Sequence, residues 1–311
     1  MALSAPKSVY APTVLPLGVR LRLWWHREET LAYAFIAPAL FVLLLLVAYP
    51  FVIALYLSVT DAFVGRPTTF VGLRNFINLV QHGTFRQTLA NSFLFTGSAV
   101  FLKTIIGLLL ALALNRKLRF QKFWRGAVLL PWVVPGALAT LGWTWMFDSL
   151  YSVINWTLIH LGFIEYGPNW LGDVVLAKCA VIAVNVWRGL PFFAISILAG
   201  LVSIPEELYE AASADGAGPV QRFFFVTLPL LKPVLAIVLL FSTIFTFSNF
   251  DIVYILTRGG PVNSTHLFAT LARQVGLESG LLGEGAAISL FMFPVLVIVV
   301  YLQLRFVRRE D

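Results

Sequence analysis

Residues 203–233 read SIPEELYEAASADGAGPVQRFFFVTLPLLKP and separate two long apolar stretches of the chain. Connections in compact proteins usually run about 4–6 residues, so a polar segment of this length must have structure of its own. Ser203 and Glu206 have the S-x-x-E spacing of a capping box, which predicts the start of a helix. Gly216 is predicted to end that helix, and a second short helix can begin at Pro219. The segment is therefore predicted to be a helix, a glycine turn and another helix.

The rest of the chain is too apolar for an ordinary water-soluble protein. Of its 311 residues, 59% are hydrophobic and 12% are charged. Soluble domains have about 45–50% apolar and about 25% charged residues. This composition excludes a cytosolic globular protein, a disordered chain and a small secreted domain stapled by disulfides. We expect the chain to be embedded in a lipid bilayer.

The apolar residues are grouped in stretches long enough to cross a membrane as helices, which takes about 20 residues each. Six stretches qualify: 31–58, 87–114, 126–147, 174–200, 233–257 and 285–305. With both termini inside, the inner segments hold fourteen Lys and Arg residues, counting Arg305 at the membrane edge, and the outer segments hold five. Because basic residues collect in cytoplasmic loops, this asymmetry places both termini in the cytoplasm. The predicted fold is an all-α, polytopic membrane protein with six transmembrane helices.

Three regions follow from this topology. Residues 1–30 are predicted to be a basic cytoplasmic segment, whose part from 18 to 29 is either an interfacial helix or a disordered leader. Residues 31–305 form the six-span domain, and residues 306–311 form a cytoplasmic tail.

The sequence shows no pattern typical of an enzyme or of a nucleic-acid-binding protein. It contains no G-x-x-x-x-G-K-[ST] loop for ATP, and its four histidines do not have the spacing of metal ligands. The single cysteine, Cys179, cannot form an intrachain disulfide. We expect this chain to be a non-enzyme that holds neither a cofactor nor a metal.

The segment 203–233 also carries the pattern E-A-A-x3-G-x9-V-x-L-P, which resembles the EAA motif of importer-type ABC transporter permeases. Val226 stands where the family usually has Ile. The resemblance implies that this cytoplasmic loop transmits force between an ATPase and the membrane helices. The residues that it assigns to ATPase coupling are Glu210, Ala211, Ala212, Asp215, Gly216, Leu228 and Pro229. Small alanines allow close seating in a cleft, and Gly216 suits a turn with positive φ. An amphipathic helix that merely lies on the membrane is the alternative.

Further stretches resemble the maltose-type sugar permeases in particular. They are FVGLRNF at 70–76, NSFLFT at 91–96, LLPWVVPGALATLGWTWMF at 129–147 and FSNFDIVYILTRGGPVNST at 247–265. The resemblance extends over most of the chain, from about residue 31 to 305, and implies the type I ABC importer permease fold, in a bacterial or archaeal cytoplasmic membrane. The resemblance implies a second homologous permease, two ATPase subunits that hold ATP and Mg, and an extracytoplasmic solute-binding protein. The implied substrate is a di- or oligosaccharide.

Polar residues at membrane depth are the candidates for the substrate pathway. Charged side chains at the centre of a span cost about 2.5–3.5 kcal/mol on insertion scales, so each needs a reason. Asn185 and Arg188 share a face of the fourth span, and Asn249, Asp251 and Tyr254 lie in the outer half of the fifth. Amides and carboxylates bond sugar hydroxyls, and aromatic rings stack on sugar rings. The alternative is structural, with Arg188 and Asp251 pairing with each other or with the partner permease.

Two other functions are compatible with the sequence. The same architecture could carry glycerol-3-phosphate or a polyol, since Arg188 could bind a phosphate. A stand-alone secondary transporter would instead need buried titratable residues as a proton relay and no coupling loop.

Overall fold

The computed structural model describes residues 28–116 and 119–308. Residues 1–27, which are the greater part of the predicted N-terminal segment, and residues 309–311 of the predicted tail lie outside this range. The described chain is helical and forms no named strand; its one isolated β-bridge pairs Thr60 with Phe70. It divides into two compact units, of which the first ends at Ile53 and the second begins at Ala54.

The first unit contains the beginning of the first predicted span. Helix α1 (Glu28–Leu43) continues as a π-helical turn (Leu44–Ala48) and then as α2 (Tyr49–Ser58), which runs on past the end of the unit. Apolar side chains dominate this stretch, as a helix within hydrocarbon requires.

The second unit contains the remaining helices. In chain order they are α3 (Arg74–Gln81), α4 (Gly83–Asn115), α5 (Gln121–Val128), α6 (Leu130–Val133), α7 (Gly136–Met146), α8 (Val153–His160), α9 (Val174–Val202), α10 (Glu206–Ala214), α11 (Pro219–Arg222), α12 (Leu228–Phe247), α13 (Asp251–Leu256), α14 (Phe268–Arg273) and α15 (Leu282–Arg308). Two π-helical turns, Phe223–Thr227 and Gln274–Glu278, follow α11 and α14 without a break.

Five of the six predicted spans are confirmed as helices that are long and apolar enough to cross a membrane. Within the described residues these helices are Leu31–Ser58, Gly83–Asn115, Val174–Val202, Pro219–Leu256 and Leu282–Arg305. Their positions match the predicted spans except at the fifth, where the helical segment begins well before residue 233. The second arm of the 203–233 segment therefore runs directly into the membrane helix.

The third predicted span, 126–147, is not one helix. It is divided into α5, α6 and α7, with a break at Val134 and Pro135. A proline disfavours the helical conformation of the residue before it, and Val134 is accordingly extended, with φ −76° and ψ 129°. Pro135 is extended as well (φ −53°, ψ 129°). Six crossings in total therefore stay a prediction, in which the third crossing is a broken one.

The core of the second unit depends on the close contact between α4 and α9. Phe193 and Ile197 of α9 are almost fully buried, and they pack in one cluster with Ala111 of α4 and Leu231 of α12. At Gly107 of α4, a Cβ atom would lie 2.4 Å from the Cβ of Phe193. The two helices therefore approach each other at a distance that only glycine permits at this position.

The outer segment between α13 and α14, which includes the resembling stretch TRGGP, is folded back on itself. Thr265 Oγ1 donates a hydrogen bond to the carbonyl of Gly260 at 2.7 Å, next to a cis peptide bond between Gly260 and Pro261. The ring of His266 packs against Gly259, which has φ +91°. Burial lowers the pKa of His266, which keeps its imidazole neutral at physiological pH.

The contact at Gly107 gives a prediction about stability. Replacing Gly107 with Ala places a methyl group against Phe193, and overpacking of this kind costs about 1–3 kcal/mol. We expect Gly107→Ala to lower the temperature at which the purified protein loses its folded state in detergent. Gly97→Ala on the same helix is the matched control, since a Cβ there meets no atom within 4 Å. Equal melting of the two variants would contradict the close approach.

Candidate functional site

The segment 203–233 forms the predicted helix, glycine turn and second helix. After Ala214, Gly216 has φ +83°, which confirms the expected positive φ. The amide of Gly216 donates to the carbonyl of Ser213 at 3.0 Å, and the amide of Ala217 donates to the carbonyl of Ala212 at 2.9 Å. These two bonds define a Schellman motif, in which a glycine in the left-handed region stops the helix.

The predicted capping box at the start of the segment is wrong. Helix α10 begins at Glu206, and Pro205 rather than Ser203 is its N-cap. The hydroxyl of Ser203 instead donates to the carbonyl of Gly200 at 2.8 Å, at the end of α9. A serine hydroxyl near a helix C-terminus has this backbone acceptor within reach, and the short link to α10 leaves the proline in the cap position.

Hydrogen bonds between side chains connect the two arms of the segment. The hydroxyl of Tyr209 in α10 lies 3.0 Å from Oγ1 of Thr227 in the π-helical turn. Arg222 Nη1 in α11 donates to Ser213 Oγ at 2.9 Å, and that hydroxyl donates in turn to the carbonyl of Tyr209 at 2.6 Å. Because α11 continues into α12, α10 is tied to a membrane helix through these bonds.

The seven residues predicted to couple to the ATPase lie mainly on the surface of the segment. Ala212 and Leu228 are partly buried, and the exposed members are Glu210, Ala211, Asp215, Gly216 and Pro229. Leu208, on the same helix as Glu210, is also exposed. Within the part of the chain that the structure describes, Glu210 forms no ion pair. This surface is therefore available to a partner protein.

A cavity of about 710 Å³ lies between α4, α9, α12 and α13. Four of the five predicted pathway residues line it: Asn185, Arg188, Asn249 and Asp251. Aromatic rings form much of the remaining wall, from Trp132, Phe192, Phe193, Phe241, Phe245 and Phe250. A few polar groups among aromatic walls are typical of small-molecule sites, whose volumes run from about 300 to 1,000 Å³.

Arg188 and Asp251 approach each other at one side of this cavity. Arg188 Nη1 lies 4.0 Å from Asp251 Oδ2, and 34% and 54% of the two side chains are exposed. An ion pair that is this exposed contributes up to about 1 kcal/mol. Close by, the side-chain oxygen of Asn249 is buried and has no hydrogen-bond partner among the described residues. A buried amide oxygen without a partner is unfavourable, so Asn249 needs a hydrogen-bond donor that the described residues do not supply.

Tyr254, the fifth predicted pathway residue, does not line the cavity. Its ring stacks on that of Phe250, with 4.9 Å between centroids and 17° between planes. The guanidinium of Arg273 lies over Tyr254 at 4.3 Å from the ring centroid. Tyr254 therefore supports Phe250, which does line the cavity.

Lys103 is a charged residue of the cavity that the sequence assigned to no site. A lysine stem is long enough to extend towards the cytoplasmic interface, but only 3% of this residue is exposed. Its ammonium donates to Asn185 Oδ1 at 3.0 Å and to Thr246 Oγ1 at 2.7 Å, which links α4, α9 and α12. Gly189 leaves room for its stem, since a Cβ there would lie 2.4 Å from Lys103 Cδ. Among the described residues, no group of His, Cys, Asp or Glu could hold a metal ion.

A family model matches the greater part of the chain. It is the model of the binding-protein-dependent transport system inner membrane component, and it matches residues 103–310. This range contains α9, the 203–233 segment and all of the cavity-lining residues.

Curated relatives match over nearly the whole length. The chain is 39% identical over 289 residues to the trehalose/maltose transport system permease protein MalF of Thermococcus litoralis, covering 92% of this chain and 97% of the relative. It is 37% identical over 289 residues to the sulfoquinovosyl glycerol transport system permease protein SmoG of Agrobacterium fabrum, covering 91% and 92%.

A solved structure shares the fold. It is the crystal structure of a bacterial ABC transporter involved in the import of the acidic polysaccharide alginate, with a TM-score of 0.77 and 21% identity. The match covers 94% of this chain and 98% of that chain. The all-α permease fold expected from the sequence is thus confirmed.

The buried ammonium gives a prediction about folding. Replacing Asn185 with Leu removes one of the two acceptors of Lys103, and a hydrogen bond to a charged group contributes about 1.5–3 kcal/mol. We expect Asn185→Leu to lower the yield and the melting temperature of the membrane-inserted protein. The double variant Lys103→Met/Asn185→Leu, which removes the charge as well, should recover most of the loss. Equal loss in the single and double variants would contradict the pairing.

Proposed function

Because the chain belongs to the family of binding-protein-dependent transport system inner membrane components, we propose that it is the permease subunit of an ATP-driven importer that carries a sugar. It lies in the cytoplasmic membrane and moves its substrate by alternating access. The observation that carries this proposal is the similarity to a trehalose/maltose permease over 92% of the chain. The proposed substrate is a di- or oligosaccharide, and the cavity of about 710 Å³ has room for one.

The proposed partners follow from what this chain lacks and exposes. Its sequence contains no ATP-binding loop, so we assign ATP hydrolysis, with ATP and Mg, to two separate ATPase subunits. A second permease would complete the pathway, and an extracytoplasmic binding protein would deliver the sugar. The surface around Glu210, Ala211 and Gly216 is the proposed contact with the ATPase, since it is exposed and rigidly connected to α12.

The cavity is the proposed substrate pathway. Asn249 is the candidate contact, because the residue lines the cavity and its buried side-chain oxygen lacks a partner among the described residues. Phe250 and Trp132 present rings on which a sugar can stack. Asn185 is occupied by Lys103, and Arg188 lies near Asp251, so both are weaker candidates for direct contact.

Purification from the native host tests the proposal as a whole. We expect a second permease and an ATPase to co-purify with the chain in mild detergent. Proteoliposomes that contain this complex and its binding protein should take up radiolabelled maltose or trehalose only when ATP is enclosed. Transport by the chain alone, driven by a proton gradient, would refute the proposal in favour of a secondary transporter.

The coupling surface gives a second prediction. Glu210→Lys reverses a charge at the proposed ATPase contact, and Gly216→Pro removes a residue that adopts φ +83°. Both variants should insert in the membrane, and both should lose most ATP-driven uptake while the ATPase still hydrolyses ATP. Glu207→Lys, an exposed reversal on the same helix but outside the motif, is the control. Normal uptake in both test variants would rule out coupling through this segment.

The proposed sugar contact gives a third prediction. Asn249→Ala removes the acceptor, and the loss of one hydrogen bond should raise the half-saturating maltose concentration about three- to tenfold. Asn115→Ala, at the exposed end of α4, is the control. If Asn249→Ala leaves both the half-saturating concentration and the maximal rate unchanged, Asn249 is not part of the pathway.

A further inference from the structure

Two membrane segments of the second unit are interrupted, and both interruptions lie beside Arg188. The third segment is broken at Val134 and Pro135, after which α7 begins at Gly136. The fifth is broken after α12, and α13 then begins at Asp251. Arg188 belongs to α9, which continues without a break past both of them.

The guanidinium of Arg188 lies against the first residue of each restarted helix. At Gly136, a Cβ atom would lie 2.1 Å from Arg188 Cζ, so the guanidinium occupies the space that the missing side chain leaves. On its other side, Nη1 lies 4.0 Å from Asp251 Oδ2. Helices α7 and α13 also pack on each other. One side chain of an unbroken helix thus contacts the beginnings of two packed helices.

This location is unfavourable for a cation on its own. Helix N-termini carry partial positive charge, so the starts of α7 and α13 both repel a guanidinium. The Asp251 carboxylate in the first turn of α13 offsets this repulsion. The flat surface of the guanidinium allows it to pack on the backbone at Gly136, which a lysine ammonium cannot reproduce. The arrangement therefore depends on Arg188, Asp251 and Gly136 together.

We infer that Arg188 is a positioning residue that fixes the beginnings of α7 and α13 relative to α9, with Gly136 providing the space for it. The inference rests on the proposed function only in treating the cavity as the transport pathway. Ser248 and Asn249 lie in the second break and line the cavity, so their location depends on where α13 begins. On the predicted topology, α7 and α13 are the outer halves of their segments. Loss of the Arg188 contact then lets these outer halves move.

Thiol labelling of the cavity tests this without any sugar. The assembled transporter in intact cells carries Ser248→Cys in a Cys179→Ser background, and labelling by a cationic and an anionic methanethiosulfonate reagent is timed. Arg188→Gln should raise both rates at least about threefold, which is the scale of a partly exposed ion pair. A change of charge alone would move the two rates in opposite directions.

Gly136→Ala changes no charge and should raise both rates as Arg188→Gln does, since its methyl group displaces the guanidinium. Gly142→Ala in the same helix is the control, because a Cβ there meets no atom within 4 Å. Arg188→Lys keeps a cation beside Asp251, so its two labelling rates should lie between those of the parent and those of Arg188→Gln. Where Arg188→Gln lowers the amount of assembled transporter, Asp251→Asn replaces it.

The double variant Arg188→Gln/Gly136→Ala separates positioning from general weakening. Once the guanidinium is removed, the methyl group that Gly136→Ala introduces has nothing to displace, so this second substitution should add nothing further. Unchanged rates in Arg188→Gln, or a Gly136→Ala effect of equal size in both backgrounds, would overturn the inference. Either result would contradict the positioning role of Arg188 but not the proposed transport function. Conversely, if the transporter failed to take up sugar, the labelling rates would still test the positioning role.

Discussion

The close contact of α4 with α9 is the constraint on which the cavity depends. In a membrane, helices gain little from excluding apolar surface from one another, so their association depends on tight packing and on hydrogen bonds between polar side chains. Gly107 supplies the first by admitting Phe193, and Lys103 supplies the second by bonding Asn185 and Thr246. These contacts place α12 beside α4 and α9, and the cavity is the space that remains between them.

Much of this architecture could be predicted from the sequence, because hydrocarbon tolerates few alternatives. Five spans and the glycine-stopped helix follow from apolar length and from Gly216. The break in the third segment was also visible in principle, as Pro135 restricts Val134, but apolar length alone indicated one helix. A cap would have required the Ser203 hydroxyl to accept from a backbone amide of α10, but it donates to the carbonyl of Gly200 instead, and a spacing rule does not determine that.

The candidate site was predictable in its residue types and less so in its contacts. Asn249 and Asp251 were identified because polar groups at membrane depth need a reason, and both line the cavity. Tyr254 was assigned from its spacing along the helix, but spacing does not distinguish a residue that lines the cavity from one that packs on a lining residue, as Tyr254 packs on Phe250. Lys103 was missed because its acceptors are 82 and 143 residues away along the chain. Pairings between distant helices depend on packing that no local pattern reports.

The continuity of α11, the following π-helical turn and α12 has a mechanical consequence. From Pro219 to Phe247 the backbone is helical throughout, and at 1.5 Å per residue this segment is about 40 Å long. Its cytoplasmic end is braced by α10, and its far end reaches the cavity. A tilt of about 5° at the braced end would displace the far end by about 3–4 Å, which is close to the donor–acceptor distance of a hydrogen bond. If an ATPase acts on α10 as proposed, small rotations of it would be enough to make or break contacts with a molecule in the cavity, without any helix having to unwind.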